Sequence, residues 1–335
     1  MILCRSPLRV SLAGGFADVA AQHRGERRQV LSVTVRLYAS ILVAREVDGT
    51  CVASYSRIER VERAEHLKND LFRAALAECG VDGGVQVHSI ASVPLSAVGL
   101  GGSGAACVSL VNALHRMRSV SLAEKVLAES ACRVEIDRLG RKIGKQDQYA
   151  AAYGGLNRFT FDGTSVDVER LDFGMVREML EDRCLLIPCL APDDAPKRDA
   201  GALLVEQLAT KSDAVARLSD LVQTTLYALD TRDMARLVAC VNAGWDAKRT
   251  LSPTLSTTDA DMAIDEVRRA GGAAKLCGAG GGGYVFALFP TREALSAFAE
   301  KRTDAMPCGF EPEGSTVVYD DWERIGGPPP RVEVK

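Results

Sequence analysis

Residues 99–104 read Gly-Leu-Gly-Gly-Ser-Gly and run straight into Ala105, Ala106, Cys107 and Val108. Four glycines (Gly99, Gly101, Gly102, Gly104) and one hydroxyl (Ser103) ahead of a helix-forming stretch outline an anion site. Glycine lets the backbone approach a ligand closely, and the free N–H groups and dipole of a first helical turn favour negative charge. The anion this predicts is a nucleotide phosphate. Two acids downstream could serve such a site. Glu135 shares an i, i+4 row with Leu127, Ala131 and Leu139, which puts a carboxylate among apolar neighbours. Such an acid needs a partner, either an ion pair with Arg138 or Arg141, or a Mg²⁺ facing the glycine loop. Asp147 stands between Gln146 and Gln148 at a loop-to-helix junction, where it reads as an N-cap or as an acid orienting a substrate hydroxyl. A second run, Gly278-Ala-Gly-Gly-Gly-Gly283, precedes a strand pattern over 284–289 and marks a close backbone approach or a tight turn.

The spacing of Gly99, Gly101 and Gly104 also satisfies the dinucleotide fingerprint G-x-G-x-x-G. That motif needs a strand directly before it and an acid at the end of the next strand. Here the alternating pattern over 85–90 is separated from Gly99 by eight residues that include Pro94, and Glu124 lies in a helical pattern. No Lys follows Gly104, so a P-loop is excluded as well. A turn that merely caps a helix remains as the plain alternative.

The elements that must position these residues follow from periodicity. Strands are predicted over 2–12, 31–44, 50–55, 85–90, 184–189 and 284–289, and helices over 64–79, 103–117, 122–139, 203–229, 234–245 and 259–270. Residues 190–199 read as a polar, proline-containing loop, 326–330 as a loose end, and a domain boundary is expected between about 161 and 183. With 335 residues, 47% hydrophobic and 25% charged, the chain has the composition of a globular protein of one large or two smaller domains. The net charge of −3 and the absence of a basic block argue against a nucleic-acid partner. Ten cysteines without a C-x-x-C pair predict buried thiols in a reducing compartment. With no leader pattern and no apolar stretch of 18 residues, a cytoplasmic enzyme without a membrane partner is expected.

Three segments, in order, resemble the superfamily of galactokinase, homoserine kinase, mevalonate kinase and phosphomevalonate kinase (GHMP kinases). They are Arg5 through Asp18 (Arg-Ser-Pro-Leu-Arg-Val-Ser-Leu-Ala-Gly-Gly-Phe-Ala-Asp), Pro94 through Ala106, and Lys275 through Gly283. Gly144 through Gly155 and Trp245 through Pro253 are similar to the D-glycero-D-manno-heptose 7-phosphate kinases within it. The resemblance spans nearly the whole chain and is weakest between about 161 and 240.

The resemblance implies an α+β fold of two domains: residues 1–170 like ribosomal protein S5 domain 2, residues 171–335 ferredoxin-like, with the active site between them. By the same resemblance Pro94 and the loop Gly99, Leu100, Gly101, Gly102, Ser103 and Gly104 bind ATP, while Ser103 and Glu135 hold Mg²⁺, a hard cation suited to oxygen ligands. Asp147 becomes the acid beside the attacking hydroxyl and Arg9 the residue that stabilises the transferred phosphoryl group. Asp18 bonds the sugar with Gly14, Gly15 and Gln146 beside it, and Gly278–Gly282, with Gly280 and Gly281, shape the site from the second domain. The implied reaction is phosphorylation of the anomeric hydroxyl of a heptose 7-phosphate to the 1,7-bisphosphate, with a sugar phosphate and ATP as partners, and a homodimer is compatible with it. Ala17 stands where the family usually has Thr, and Gly102 where it often has Ser. The family's Thr-Gly and nearby Arg are missing from 190–199, where Lys197 and Arg198 are the cations present. An unphosphorylated, fucose-like acceptor therefore stays open. A non-catalytic nucleotide-binding relative is the other alternative, and the joint presence of Ser103, Glu135 and Asp147 argues against it.

Overall fold

A computed structural model describes residues 1–19, 26–94, 99–190, 212–252 and 254–322. The tail at 326–330, most of the 190–199 loop with Lys197 and Arg198, the first part of the 203–229 helix, and Pro253 lie outside the described residues.

The opening third is β-rich because long runs of β-branched and aromatic residues alternate with polar ones. β1 (Ile2–Ala13) pairs antiparallel with β2 (Arg28–Arg45), which also carries β5 (Val85–Ala91). β3 (Cys51–Ser54) joins β5 in parallel, and β4 (Ile58–Val61) closes that edge. β6 (Leu156–Phe161) pairs with the first part of β2 and with β7 (Val166–Arg170). The β1/β2 register shifts between Pro7 and Leu8, where proline cannot donate to the ladder. Past that shift Leu8, Val10 and Leu12 are buried core residues, while Arg9 and Ser11 alternate to the opposite face and line a cleft.

The helices of this half are α1 (Asp70–Glu78), α2 (Gly102–Arg116), α3 (Glu124–Cys132) and α4 (Gln146–Tyr153). The expected 64–79 helix is instead a short 3-10 turn, Ala64–His66, followed by α1. Leu67 is extended and the Asn69 side chain accepts from the Phe72 N–H, so a cap restarts the helix. The 122–139 helix leaves α-geometry at Cys132 and finishes as a π-turn, Arg133–Arg138, which carries Glu135. Bulges of this kind re-aim side chains and concentrate at functional sites.

The second sheet contains β8 (Cys184–Cys189), β9 (Ala273–Leu276), β10 (Gly283–Leu288) and β11 (Met306–Pro307). Their order, β11-β8-β10-β9, all antiparallel, is the arrangement of a ferredoxin-like βαββαβ unit. Its helices are α5 (Gly174–Met179), which precedes the sheet, α6 (Ser212–Asp230), α7 (Met234–Arg249), α8 (Thr258–Arg269) and α9 (Arg292–Ala299). Alternation sorts the strand residues onto two cores. Leu185, Ile187, Val285, Ala274 and Leu276 pack with Trp245, Ile264 and Phe289, whereas Leu186, Phe286, Ala273 and Cys277 join the large core shared with the first sheet. The final strand, β12 (Thr316–Asp320), returns to pair with β1 and ties the end of the described chain to the first sheet. The fold is thus the mixed α+β, two-domain architecture expected.

Candidate active site

Arg9 projects from β1 across the start of α2. Its Nε donates to Asp147 Oδ1 at 2.8 Å, its Nη2 lies 2.6 Å from the same oxygen, and its Nη1 donates to the Gly99 carbonyl at 2.7 Å. The Arg9 backbone N–H donates to the Leu100 carbonyl at 2.9 Å. One arginine therefore joins the glycine loop to the acid. Asp147 lies in the first turn of α4, whose N-terminus makes no side-chain cap bond. The N-cap reading is thus set aside, and the carboxylate faces Arg9 instead.

The two glycine runs meet. Gly99 (φ +73°) and Gly278 (φ +64°) abut so closely that a Cβ on Gly99 would stand 2.4 Å from the Cys277 carbonyl oxygen, and one on Gly278 would stand 2.3 Å from Gly99 Cα. Both positions need glycine on conformation and on space. Gly101, in the left-handed region, begins α2 with no side-chain cap, so Ser103 is not a cap either.

Ser103 is committed to Glu135. Its hydroxyl donates to Glu135 Oε1 at 2.6 Å, and Gln148 Nε2 donates to Glu135 Oε2 at 2.6 Å. Glu135 is only 1% exposed, and burial raises its pKa against the opposing effect of these bonds and the Arg141 charge. Arg141 Nη1 donates to Ser103 Oγ at 2.7 Å and to Glu135 Oε1 at 2.6 Å. Of the two sequence alternatives, the ion pair with Arg141 is therefore present, while Arg138 pairs with Glu78. A hydroxyl and a carboxylate side by side are a suitable donor set for Mg²⁺, and Arg141 supplies positive charge at that same point.

Beyond Asp147 opens a cleft lined by Arg9, Ser11, Gly15, Phe16, Asp18 and Gln146 from the first domain and Lys248, Lys275, Gly278 and Ala279 from the second. Asp18 is 7% exposed, and its Oδ2 accepts from the Gln146 backbone N–H at 3.1 Å. Burial, reinforced by the Asp147 charge, pushes its pKa up to about 6, with the Gln146 N–H and Arg9 opposing. Gln146 Nε2 donates to Ser11 Oγ at 3.3 Å, while its buried Oε1 has no partner among the described residues and can accept a ligand hydroxyl.

The structure thus gathers Arg9, Asp147 and Gly99–Gly104 at one end and Gly15, Asp18 and Gln146 along the cleft. Gly14 is not on the lining, since its Cα packs against the Gln29 and Val30 backbone of β2. Gly280 and Gly281 are not on it either. Gly280 abuts the Leu255 backbone, the Gly281 N–H donates to the Leu255 carbonyl, and Gly278 and Ala279 face the cleft instead. Pro94 is exposed, adjoins undescribed residues 95–98, and does not line the cleft. Sequence reasoning assigned no role to Lys248 or Lys275. Their signals were present: a lysine three residues after a buried tryptophan on a helix, and a lysine inside the strand Ala-Ala-Lys-Leu.

Comparisons with known proteins bear on the family and the fold. Residues 64–155 match the profile of the GHMP kinases N terminal domain and residues 225–308 that of the GHMP kinases C terminal region, together more than half of the chain. The D-glycero-alpha-D-manno-heptose 7-phosphate kinase of Campylobacter jejuni is 26% identical over 337 residues, covering 93% of this chain and 97% of that one. The fold is shared with a crystal structure titled as a D-glycero-D-manno-heptose 1-phosphate kinase from Bacteriodes thetaiotaomicron, with a TM-score of 0.74 and 21% identity over 96% of this chain and 100% of that one. It is shared also with Lactococcus lactis galactokinase complexed with galactose, with a TM-score of 0.76 and 15% identity over 94% of each chain. The ordered motifs, the two-domain fold and both matching profiles establish that the chain belongs to the GHMP kinases, phosphotransferases that act on hydroxyl groups.

Proposed function

We propose that this enzyme transfers the γ-phosphoryl group of ATP to the anomeric hydroxyl of a heptose 7-phosphate, giving the 1,7-bisphosphate. The observation that carries the reading is Arg9, bonded at once to Asp147 at the head of the cleft and to Gly99 of the phosphate loop. Phosphoryl transfer through a loose transition state needs little covalent help from protein, so placement and charge dominate. The N–H groups around Gly101–Gly104 cradle the triphosphate, and Arg9 lies where charge builds on the transferred group. Asp147 orients the attacking hydroxyl and accepts its proton, while Asp18 and Gln146 Oε1 hold sugar hydroxyls. Ser103 and Glu135 would hold Mg²⁺, which when bound neutralises charge on the phosphates. The heptose assignment draws on the full-length similarity to the Campylobacter jejuni kinase. Ten free, buried cysteines and the lack of a membrane-spanning helix among the described residues suit the cytoplasm, where we place the enzyme.

Incubation with ATP, Mg²⁺ and D-glycero-D-manno-heptose 7-phosphate, followed by phosphorus NMR, tests the assignment. A new anomeric phosphate is expected. Phosphorylation at another position, or faster turnover of an unphosphorylated fucose-like sugar, would replace the assignment. Asp147→Asn is expected to lower kcat by about 10²-fold or more with the fold retained, as removal of a general base does, and parental kcat in that variant would refute the role of Asp147.

A further inference from the structure

Three lysines line the cleft, the exposed Lys142 and the buried Lys248 and Lys275, and the two buried ones are used by none of the roles above. Lys275 lies in β9 between Ala274 and Leu276, which enter the outer core with Trp245, so alternation turns it with Ala273 and Cys277 toward the first domain. There its ammonium donates to the Ser11 carbonyl of β1. Lys248 lies one turn after Trp245 on α7, donates to the carbonyls of Leu276 at 2.9 Å and Gly278 at 2.6 Å, and approaches the Phe16 ring centroid to 5.1 Å. The two residues are 4% and 7% exposed, Lys248 and Lys275 respectively. Neither forms an ion pair with a carboxylate among the described residues, and Arg9 beside them is already matched by Asp147.

A buried cation without a counter-ion is costly, and carbonyl dipoles offset only part of that. The strain registers in both groups: burial, with added repulsion from Lys275, brings the Lys248 pKa down to about 7, and burial brings that of Lys275 down to about 8. An ammonium has three N–H donors. Lys248 spends two and Lys275 one on the bonds above, which leaves three without a hydrogen-bond acceptor among the described residues. The cleft they line includes Gly15, Asp18 and Gln146 and none of Gly99–Gly104, so their natural ligand is the acceptor rather than the nucleotide.

We propose that Lys248 and Lys275 together form the subsite for an oxyanion carried by the acceptor sugar, a phosphate monoester or carboxylate remote from the hydroxyl that is phosphorylated. The inference rests on the cleft being the acceptor site of a sugar kinase, and it makes these two residues the determinants of a charged over a neutral acceptor.

Calorimetric titration without nucleotide tests this on the full chain, using D-glycero-D-manno-heptose 7-phosphate, the unphosphorylated heptose, and a panel of hexose 6-phosphates, pentose 5-phosphates and sugar acids with their neutral counterparts. The parent is expected to bind a charged sugar at least tenfold more tightly than its neutral counterpart, as charge-assisted bonds to a buried cation imply. Binding near pH 8 should also take up protons, seen as a heat that varies with the buffer's ionisation enthalpy. Lys275→Gln should remove most of that preference and much of the proton uptake while leaving the affinity for a non-hydrolysable ATP analogue intact. Lys248→Gln should do the same, and Lys275→Gln stands alone should the loss of the Leu276 and Gly278 bonds unfold the Lys248 variant. If the variants keep the preference for charge but lose the ATP analogue, the lysines serve the triphosphate and the proposal fails. It fails equally if the parent prefers no charged sugar to its neutral counterpart. If the heptose phosphate is ignored but another anionic sugar binds through the lysines, the proposal stands and the heptose assignment falls.

Discussion

Asp18→Asn should make this enzyme more stable and less active, with a pH dependence that identifies the cause. The Asp18 carboxyl is buried beside Asp147, which lifts its pKa from 3.8 to about 6. Below pH 3.8 it is protonated in both folded and unfolded chains, and its charge costs nothing. Between 3.8 and about 6 the folded chain keeps a proton that the unfolded chain has released, so stability falls as pH rises, and above about 6 the full penalty persists. At 1.36 kcal/mol per pH unit the penalty is about 3 kcal/mol at pH 8 and about 1.5 kcal/mol at pH 5. Asparagine removes the charge, keeps an oxygen for the Gln146 N–H, and matches the space against Gly144, whose added Cβ would stand 2.0 Å from Asp18 Oδ2. Urea unfolding of parent and variant from pH 5 to 8 should show the variant's advantage growing with pH, with a melting temperature at pH 8 higher by roughly 4 °C. An advantage that does not change with pH, or a variant less stable at pH 8, would refute the reasoning. Either would mean that the Gln146 N–H and Arg9 outweigh burial and hold Asp18 ionised.

Other outcomes follow from the same contacts. Glu135→Ala leaves the Arg141 guanidinium and the Ser103 hydroxyl without their buried acceptor, and should lower unfolding free energy by about 3–5 kcal/mol in chemical denaturation; a loss below about 1 kcal/mol would show that the cluster is solvated. Gly104→Ala places a Cβ 2.7 Å from Asp147 Cβ. It should cost about 1–3 kcal/mol of stability and lower kcat at least tenfold by displacing the acid, and steady-state kinetics indistinguishable from the parent's would contradict the close packing.

The local pattern already carried much of this protein. Strand alternation, the helices near 103–117 and 259–270, the glycine loop ahead of a helix and the buried acid at Glu135 were legible because each depends on residues near in sequence or on a short repeat of side-chain type. Ser103 and Glu135, 32 residues apart, were brought together only by the family resemblance and meet in the folded chain. The break at Leu67–Asn69 and the π-turn around Glu135 were not, since a single cap or one extra residue per turn overrides a hydrophobic period without altering it. The choice between Arg138 and Arg141 as partner of Glu135 required three dimensions, because both are near in sequence and only the path after the π-turn decides which guanidinium arrives. The placement of Gly14 and Gly280 against backbone, and of Gly281 on a hydrogen bond to the Leu255 carbonyl, rather than on the cleft, was hidden for a similar reason: a glycine marks a special backbone position without naming what it meets. The cationic end of the cleft belongs wholly to tertiary structure. Lys248 and Lys275 lie on a helix and a strand of the second domain and Arg9 on the first strand of the other, and only the docking of the two domains turns three distant cations into one charged wall.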